Sequence, residues 1–200
     1  AAKHIEGFTL DFFDRAVYRS NPRLNLDGST KYVFSYQEVF DGDKNYLQTF
    51  IKKTIDPGQP GVVGANRDVL DFPLQFALRD NLSGNGFAND WHNIRNASMD
   101  FHDDGLHNGS QGVMFVQSHD EHAPELTNVA HAYVLMHPGN AVIYFNGKEF
   151  GDNRDFPKDG RGDAIGGAWG DYARRLVSVR NTHGRGDYIE RWIEKEIFAF

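Results

Sequence analysis

Short apolar segments alternate along the chain with amphipathic ones. Residues 33–36 (VFSY), 113–116 (VMFV) and 141–145 (AVIYF) are rich in β-branched and aromatic side chains. Such a composition predicts buried β-strands. Residues 5–10 (IEGFTL) and 69–72 (VLDF) show a less regular form of the same pattern, and we predict strands there as well.

Four other segments place apolar side chains three or four positions apart, which is the spacing of one face of an α-helix. They are residues 45–53, 73–80, 126–136 and 169–181. The second begins with proline, which suits the first turn of a helix, and the third ends just before Pro138 and Gly139. Because predicted strands alternate with predicted helices, the pattern predicts an α/β fold with a parallel sheet.

The remaining segments predict loops and a C-terminal module. Residues 81–111 and 147–167 are dense in Gly, Asn and Asp, which favours long loops. Residues 188–200 alternate apolar and charged side chains, as a single half-buried strand does. We therefore divide the chain into an α/β part, residues 1–184, and the beginning of a β-rich module, residues 185–200.

Three acidic residues directly follow predicted strands, namely Asp11, Glu38 and Asp120. The C-terminal ends of parallel strands meet at one edge of a sheet or barrel, and catalytic groups of such folds lie there. The three carboxylates are therefore candidates for one shared site. The alternative is that they are helix caps and solvated loop acids, because helix N-caps also favour Asp.

The segments around these acids resemble motifs of the α-amylase family of glycoside hydrolases. Residues 7–11 (GFTLD) resemble its fourth-strand motif, residues 37–42 (QEVFDG) its fifth and residues 115–120 (FVQSHD) its seventh. Residues 132–144 are similar to the approach to its eighth strand, and residues 147–151 (GKEFG) follow. The order and spacing of the motifs agree over most of the chain, from Gly7 to about Asn181.

The resemblance implies a (β/α)8 TIM-type barrel, of which this chain supplies the C-terminal portion, about strands four to eight. The first strand of a β-rich C-terminal module would follow. A complete barrel takes about 250 residues. The N-terminal strands of the barrel are therefore an expected partner of these 200 residues.

The activity implied is that of a retaining glycoside hydrolase or transglycosylase acting on α-linked glucans or maltooligosaccharides. By this resemblance Asp11 is the nucleophile, Glu38 the general acid and then base, and Asp120 the carboxylate that holds hydroxyls of the distorted sugar. His119 donates a hydrogen bond to the same sugar. The partner expected is an oligo- or polysaccharide.

Thr9 is the main departure from the family pattern, which has arginine two residues before the nucleophile. A guanidinium there orients the carboxylate and favours its charged form, whereas Thr9 offers one neutral hydroxyl. Arg15 and Arg154 are the candidates to supply the missing cation, and we assign them to substrate binding. The alternative function is a catalytically impaired, amylase-like protein that binds carbohydrate.

Composition excludes several other classes. The 28 acidic and 21 basic residues give a net charge of −7, so nothing favours nucleic acid or an anionic membrane as partner. The chain has no Cys, which removes disulfides, thiolate metal sites and cysteine nucleophiles. It shows no apolar run of about 20 residues, no signal-peptide pattern and no Gly-x-Ser-x-Gly elbow. We expect a soluble globular protein.

Two segments resemble metal sites without completing one. Residues 119–122 (HDEH) place two His three positions apart, but at a strand-to-helix turn the imidazoles need not point the same way. Residues 41–52 begin like an EF-hand, but Tyr46 and Lys52 stand where Gly and Glu are required. We expect no cofactor for the chemistry. Structural calcium, which many members of the family bind, stays open without assignable ligands.

Overall fold

A computed structural model describes residues 36–51, 68–82, 89–118, 120–143, 167–184 and 186–200. The helices in these ranges are α1 (Lys44–Ile51), α2 (Phe72–Asn81), α3 (Trp91–Ala97), α4 (Met99–Asp104), α5 (Thr127–Met136) and α6 (Gly167–His183). The strands are β1 (Val113–Met114), β2 (Asn140–Ala141), β3 (Trp192–Ile193) and β4 (Phe198–Ala199). The predicted strand at 5–10, most of that at 33–36 and nearly all of the predicted loop at 147–167 lie outside the described residues.

Four chain segments lie side by side in parallel. Gln37 bridges Val69 and Leu70 bridges Val113, and β1 pairs with β2 in the register Val113 to Asn140. At least one helix connects each segment to the next, since α1, then α2 to α4, and then α5 lie between them. This is the repeated strand–helix connection of an α/β fold, and it confirms the predicted class and the parallel pairing.

Both faces of this parallel arrangement are buried. Leu70, Val113 and Phe115 form one apolar cluster with Phe72. Met114 and Val116, whose side chains alternate with these, pack instead among side chains of α2, α3 and α5. Burial on both sides explains why the strand sequences read as continuous apolar runs.

The four helices predicted from periodicity are present, with ends shifted by a few residues. Predicting residues 81–111 as a loop was wrong, because α3 and α4 lie within that range. Asp90 caps α3 by accepting from the His92 amide at 2.9 Å, and the Ser98 hydroxyl caps α4 by accepting from the Asp100 amide at 3.1 Å. The helices have 7 and 6 residues. Helices so short carry too few apolar positions to show a period.

The C-terminal segment also differs from its prediction. Residues 188–200 form a hairpin in which β3 and β4 pair antiparallel, rather than one strand. The Glu194 amide donates to the Ile197 carbonyl at 2.7 Å and reverses the chain. The hairpin contacts α3, because the Trp91 amide donates to the Lys195 carbonyl at 2.9 Å. The division of the chain at residue 185 stays a prediction.

The connection between α5 and β2 is held by α6 and by a close backbone contact. The Arg180 guanidinium donates to the Leu135 and His137 carbonyls at 2.6 and 2.7 Å and to the Gly139 carbonyl. Gly109 has a φ of +79°, and a Cβ on it would stand 2.6 Å from the Gly139 nitrogen. Only glycine meets both the dihedral angle and the contact.

None of the helices in the described part of the chain combines the length and hydropathy of a bilayer-spanning segment.

Candidate functional site

Glu38 follows the first of the parallel segments at its C-terminal end. The preceding residue, Gln37, donates its amide to the Asp68 carbonyl at 2.8 Å and accepts from the Leu70 amide at 2.9 Å. These two bonds fix the backbone up to the residue before Glu38. The Glu38 side chain itself is exposed, so it is accessible to a ligand from solvent.

Asp120 follows the segment that contains β1, again beyond its C-terminal end. Residues 113–118 are buried, and Asp120 is the first exposed residue after them among those described. One parallel segment, with Val69 and Leu70, separates its strand from that of Glu38. Neighbouring strands are ~4.8 Å apart, so these two strands lie roughly 10 Å from each other across the sheet. Glu38 and Asp120 thus both follow the C-terminal ends of parallel segments of this sheet.

The other predicted site residues, Asp11, Arg15, His119 and Arg154, lie outside the described residues, as does Thr9. The shared site and the roles of its members therefore stay predictions. Of the His-rich segment at 119–122, His119 also lies outside the described residues. Within the described ranges, no group of three or more His, Asp or Glu side chains is arranged to hold a metal ion.

An aromatic surface begins at Phe40, two residues after Glu38 in the chain. The Phe40 ring is 66% exposed, yet it meets Phe72 edge-on at a centroid distance of 5.0 Å and Phe76 at 5.7 Å. Phe72 in turn packs edge-on against Phe115 at 5.2 Å. These rings connect the exposed edge to the buried apolar cluster, so Phe40 presents a supported ring to solvent.

The turn that carries Asp120 is closed by Ser118. The Ser118 hydroxyl accepts from the Asp120 and Glu121 amides, both at 3.0 Å, and the Ser118 amide donates to the Glu121 carbonyl at 3.0 Å. Two residues of α2 hold this turn from outside. Arg79 Nη1 donates to Glu121 Oε2 at 3.1 Å, and Gln75 Nε2 donates to the His122 carbonyl at 3.0 Å.

Sequence reasoning missed Gln75 and Arg79 as supports of the site. Both are polar residues four positions apart on α2, one buried and one exposed. Polar residues at that spacing share one face of a helix. The spacing of these two polar residues could be seen in the sequence. The turn that they hold could not, because it depends on the packing of α2 against the segment after β1.

Asp71 is a fully buried carboxylate that directly follows the second parallel segment, the one with Val69 and Leu70. Its Oδ1 accepts from the Leu74 amide at 3.1 Å, which caps α2, and its Oδ2 accepts from the Met99 amide at 2.9 Å, which ties α4 to the sheet. Burial raises the pKa of Asp71 to about 7, although these two amides act in the opposite direction. Both oxygens are committed to backbone amides, so Asp71 joins elements rather than binding a ligand.

Comparison with known proteins supports the fold. No protein-family model matches the chain, and no curated protein matches it. Among solved structures, the chain is similar to the crystal structure of gamma-CGTase from Alkalophilic bacillus clarkii, with 19% sequence identity and a TM-score of 0.56. The match covers 93% of this chain and 26% of that one, so the chain spans about a quarter of that enzyme's length. At this identity the likeness extends to the fold alone.

Proposed function

We propose that the chain forms the C-terminal part of the catalytic barrel of a retaining glycoside hydrolase or transglycosylase acting on α-linked glucans. The observation that carries the proposal is that Glu38 and Asp120 follow the C-terminal ends of parallel segments of one sheet. Their motifs occur in the order in which the α-amylase family has them. The fold likeness to a gamma-CGTase is consistent with this assignment.

In the proposed reaction the Asp11 carboxylate attacks the anomeric carbon while the glycosidic C–O bond breaks. Glu38 gives its proton to the departing oxygen, and a glycosyl ester on Asp11 results. A water or a sugar hydroxyl then attacks the ester, transfers its proton to Glu38 and frees the Asp11 carboxylate. Because either acceptor restores both groups, these residues do not by themselves choose between hydrolysis and transglycosylation.

Asp120 is proposed to accept hydrogen bonds from hydroxyls of the distorted sugar, together with His119 as a donor. Arg15 or Arg154 would then bind near the nucleophile. Phe40, two residues after Glu38, offers an exposed apolar ring on which a sugar face can stack. In this proposal the N-terminal barrel strands complete the site, and no metal or cofactor takes part in the chemistry.

A reducing-sugar assay on starch and maltooligosaccharides, with the complete natural polypeptide, tests the proposal. New reducing ends or rearranged oligosaccharides identify an active enzyme. Binding of the same substrates without any product identifies the impaired carbohydrate-binding protein, which Thr9 favours. If the protein neither binds nor converts these substrates, both the enzyme and the carbohydrate-binding protein are rejected.

Replacing Thr9 with Arg is expected to raise turnover by about tenfold or more. A guanidinium two residues before Asp11 orients that carboxylate and favours its charged form, which extends activity to lower pH. The measurement is the pH dependence of kcat/KM for parent and variant. Thr49→Arg, on the exposed side of α1, is the matched control. If Thr9→Arg abolishes a brisk parent activity, another residue already supplies the cation.

Replacing Arg79 with Met is expected to lower kcat several-fold with little change in KM. The ion pair with Glu121 is lost, and the turn that positions Asp120 loosens, while the apolar part of the side chain is kept. Steady-state kinetics on a maltooligosaccharide measure the effect. Arg175→Met, at an exposed position of α6, is the control. Unchanged kcat in Arg79→Met contradicts a positioning role.

A further inference from the structure

A cavity of about 650 Å³ lies at the opposite edge of the sheet from Glu38 and Asp120. Its walls come from residues 105–108, which lead into β1, from Pro138, which leads into β2, and from residues 186–190. The first two are connections that enter parallel strands, and residues 186–190 lead into the C-terminal hairpin, whereas the candidate active site follows the ends of the strands. The cavity is therefore separate from that site, and its size is within the range of ordinary small-molecule sites.

A preformed ion pair makes up one wall. Arg95 Nε donates to both carboxylate oxygens of Glu190, at 2.8 and 2.9 Å, and Nη2 reaches Glu190 Oε2 at 2.8 Å. The guanidinium also lies 4.1 Å from the centroid of the Phe101 ring. Because the charge of Arg95 is already balanced by Glu190, it offers little attraction to an anionic ligand.

His107 lies behind this pair with one ring nitrogen unsatisfied. The residue is 7% exposed, and its Nε2 has no hydrogen-bond partner among the described residues. That atom faces Glu190 Oε1 at 3.9 Å, which is too long for a hydrogen bond. Burial lowers the pKa of His107, which favours the neutral form of the ring. A buried unpaired polar atom is costly, and a donor or acceptor from the cavity removes that cost.

We propose that this cavity binds a neutral polyhydroxylated molecule of the size of a mono- or disaccharide. After a small rotation of Glu190, two neighbouring hydroxyls of the ligand can each donate one hydrogen bond, one to the Glu190 carboxylate and one to His107 Nε2, because these two acceptors lie only 3.9 Å apart. Asp187, at the same wall, adds a second acceptor. Leu106 and Ile189 supply apolar surface for the face of a sugar ring. The proposal does not depend on turnover at Glu38.

The charges at this wall disfavour an anion. Arg95 and Glu190 neutralise each other, and Asp187 adds one negative charge that repels an anion. A cation would have to compete with Arg95 for Glu190, whereas a hydroxyl group carries no charge and can donate to Asp187 and to His107 Nε2.

The test follows the imidazole signals of His107 by NMR while maltose is added to the Glu38→Gln protein, in which turnover is expected to be slow. We expect the Nε2 resonance of His107 to shift in a saturable way and that of the exposed His92 to stay unchanged. Asp187→Ala should weaken the response about tenfold, and the exposed hairpin variant Glu196→Ala should leave it intact.

No shift at His107, or a shift produced by citrate or spermidine and not by maltose, overturns the proposal. An equal maltose affinity in Asp187→Ala and the parent also overturns it. His107→Gln is a second variant in which the maltose affinity should fall, and it is read by calorimetry. Failure of the proposed catalytic function is seen separately, in the reducing-sugar assay.

Discussion

The Glu38→Gln variant is expected to turn over maltooligosaccharides about 10²- to 10⁴-fold more slowly than the parent. The amide keeps the shape of the side chain but has no proton to give to the departing oxygen. Because Glu38 is exposed at its strand end, the substitution removes no buried contact, and the fold and substrate affinity should persist. Initial rates of product formation and equilibrium binding of maltotriose measure the two expectations.

The leaving group gives this prediction a second readout. A substrate with an activated aryl leaving group needs little protonation, so its first step should slow much less than that of a maltooligosaccharide. Glu194→Gln, on the exposed turn of the C-terminal hairpin, is the matched control and should behave as the parent. Equal activity of Glu38→Gln and parent would remove Glu38 from the mechanism.

The Asp71→Ala variant is expected to lose about 2–4 kcal/mol of folding free energy. It deprives two amides, those of Leu74 and Met99, of their acceptor at a fully buried position. Urea denaturation measures the loss. Asp90→Ala removes a cap of the same residue type from a helix start at the surface, where water can replace the lost acceptor, and it should lower the free energy of unfolding by much less. Equal losses in the two variants would contradict the role of burial.

The pH dependence of Asp71→Asn tests the ionisation of the same carboxyl. Its pKa is raised from 3.8 to about 7 in the folded protein, so the folded chain holds a proton there that the unfolded chain has released. The contribution of this bound proton to the free energy of unfolding is fully present below pH 4 and is lost as the pH rises through 7. The free energy of unfolding that Asp71→Asn loses relative to the parent should therefore be largest near pH 4 and become smaller toward pH 7.

The difference between variant and parent is the quantity to measure, because His137 acts in the opposite direction. Burial lowers the pKa of His137 to about 3, so its contribution to stability is lost as the pH falls from 6.5. His137 is present in both proteins and cancels in the difference. If Asp71→Asn lowers the free energy of unfolding by the same amount at pH 4 and pH 7, the raised pKa of Asp71 is contradicted.

The sequence predicted only those parts of the candidate site that directly follow strands. An acid directly after an apolar run can be read from the sequence, and Glu38 and Asp120 do follow parallel segments. The supports of the site were not predictable in this way. Gln75 and Arg79 act across more than 40 positions of sequence, and no local pattern contains the packing of α2 against the turn after β1.

The cavity near His107 shows the same limit more strongly. Arg95 and Glu190 are 95 positions apart in the chain, and each by itself reads as an ordinary surface charge. Their pairing arises because the C-terminal hairpin contacts α3, at Trp91 and Lys195. Such a contact depends on how whole elements dock, which composition and periodicity do not encode.

The sequence by itself determined the fold class, the four longer helices and those parallel strands that the structure describes, because burial of apolar side chains imposes periods of 3.6 and 2 on local sequence. It did not determine α3, α4 or the reversal at Glu194. Those elements are short and depend on single caps, on one turn and on distant contacts such as the hydrogen bond that the Met99 amide donates to Asp71. Only the tertiary structure decided them, since the free energy that holds each one comes from residues far away in the chain.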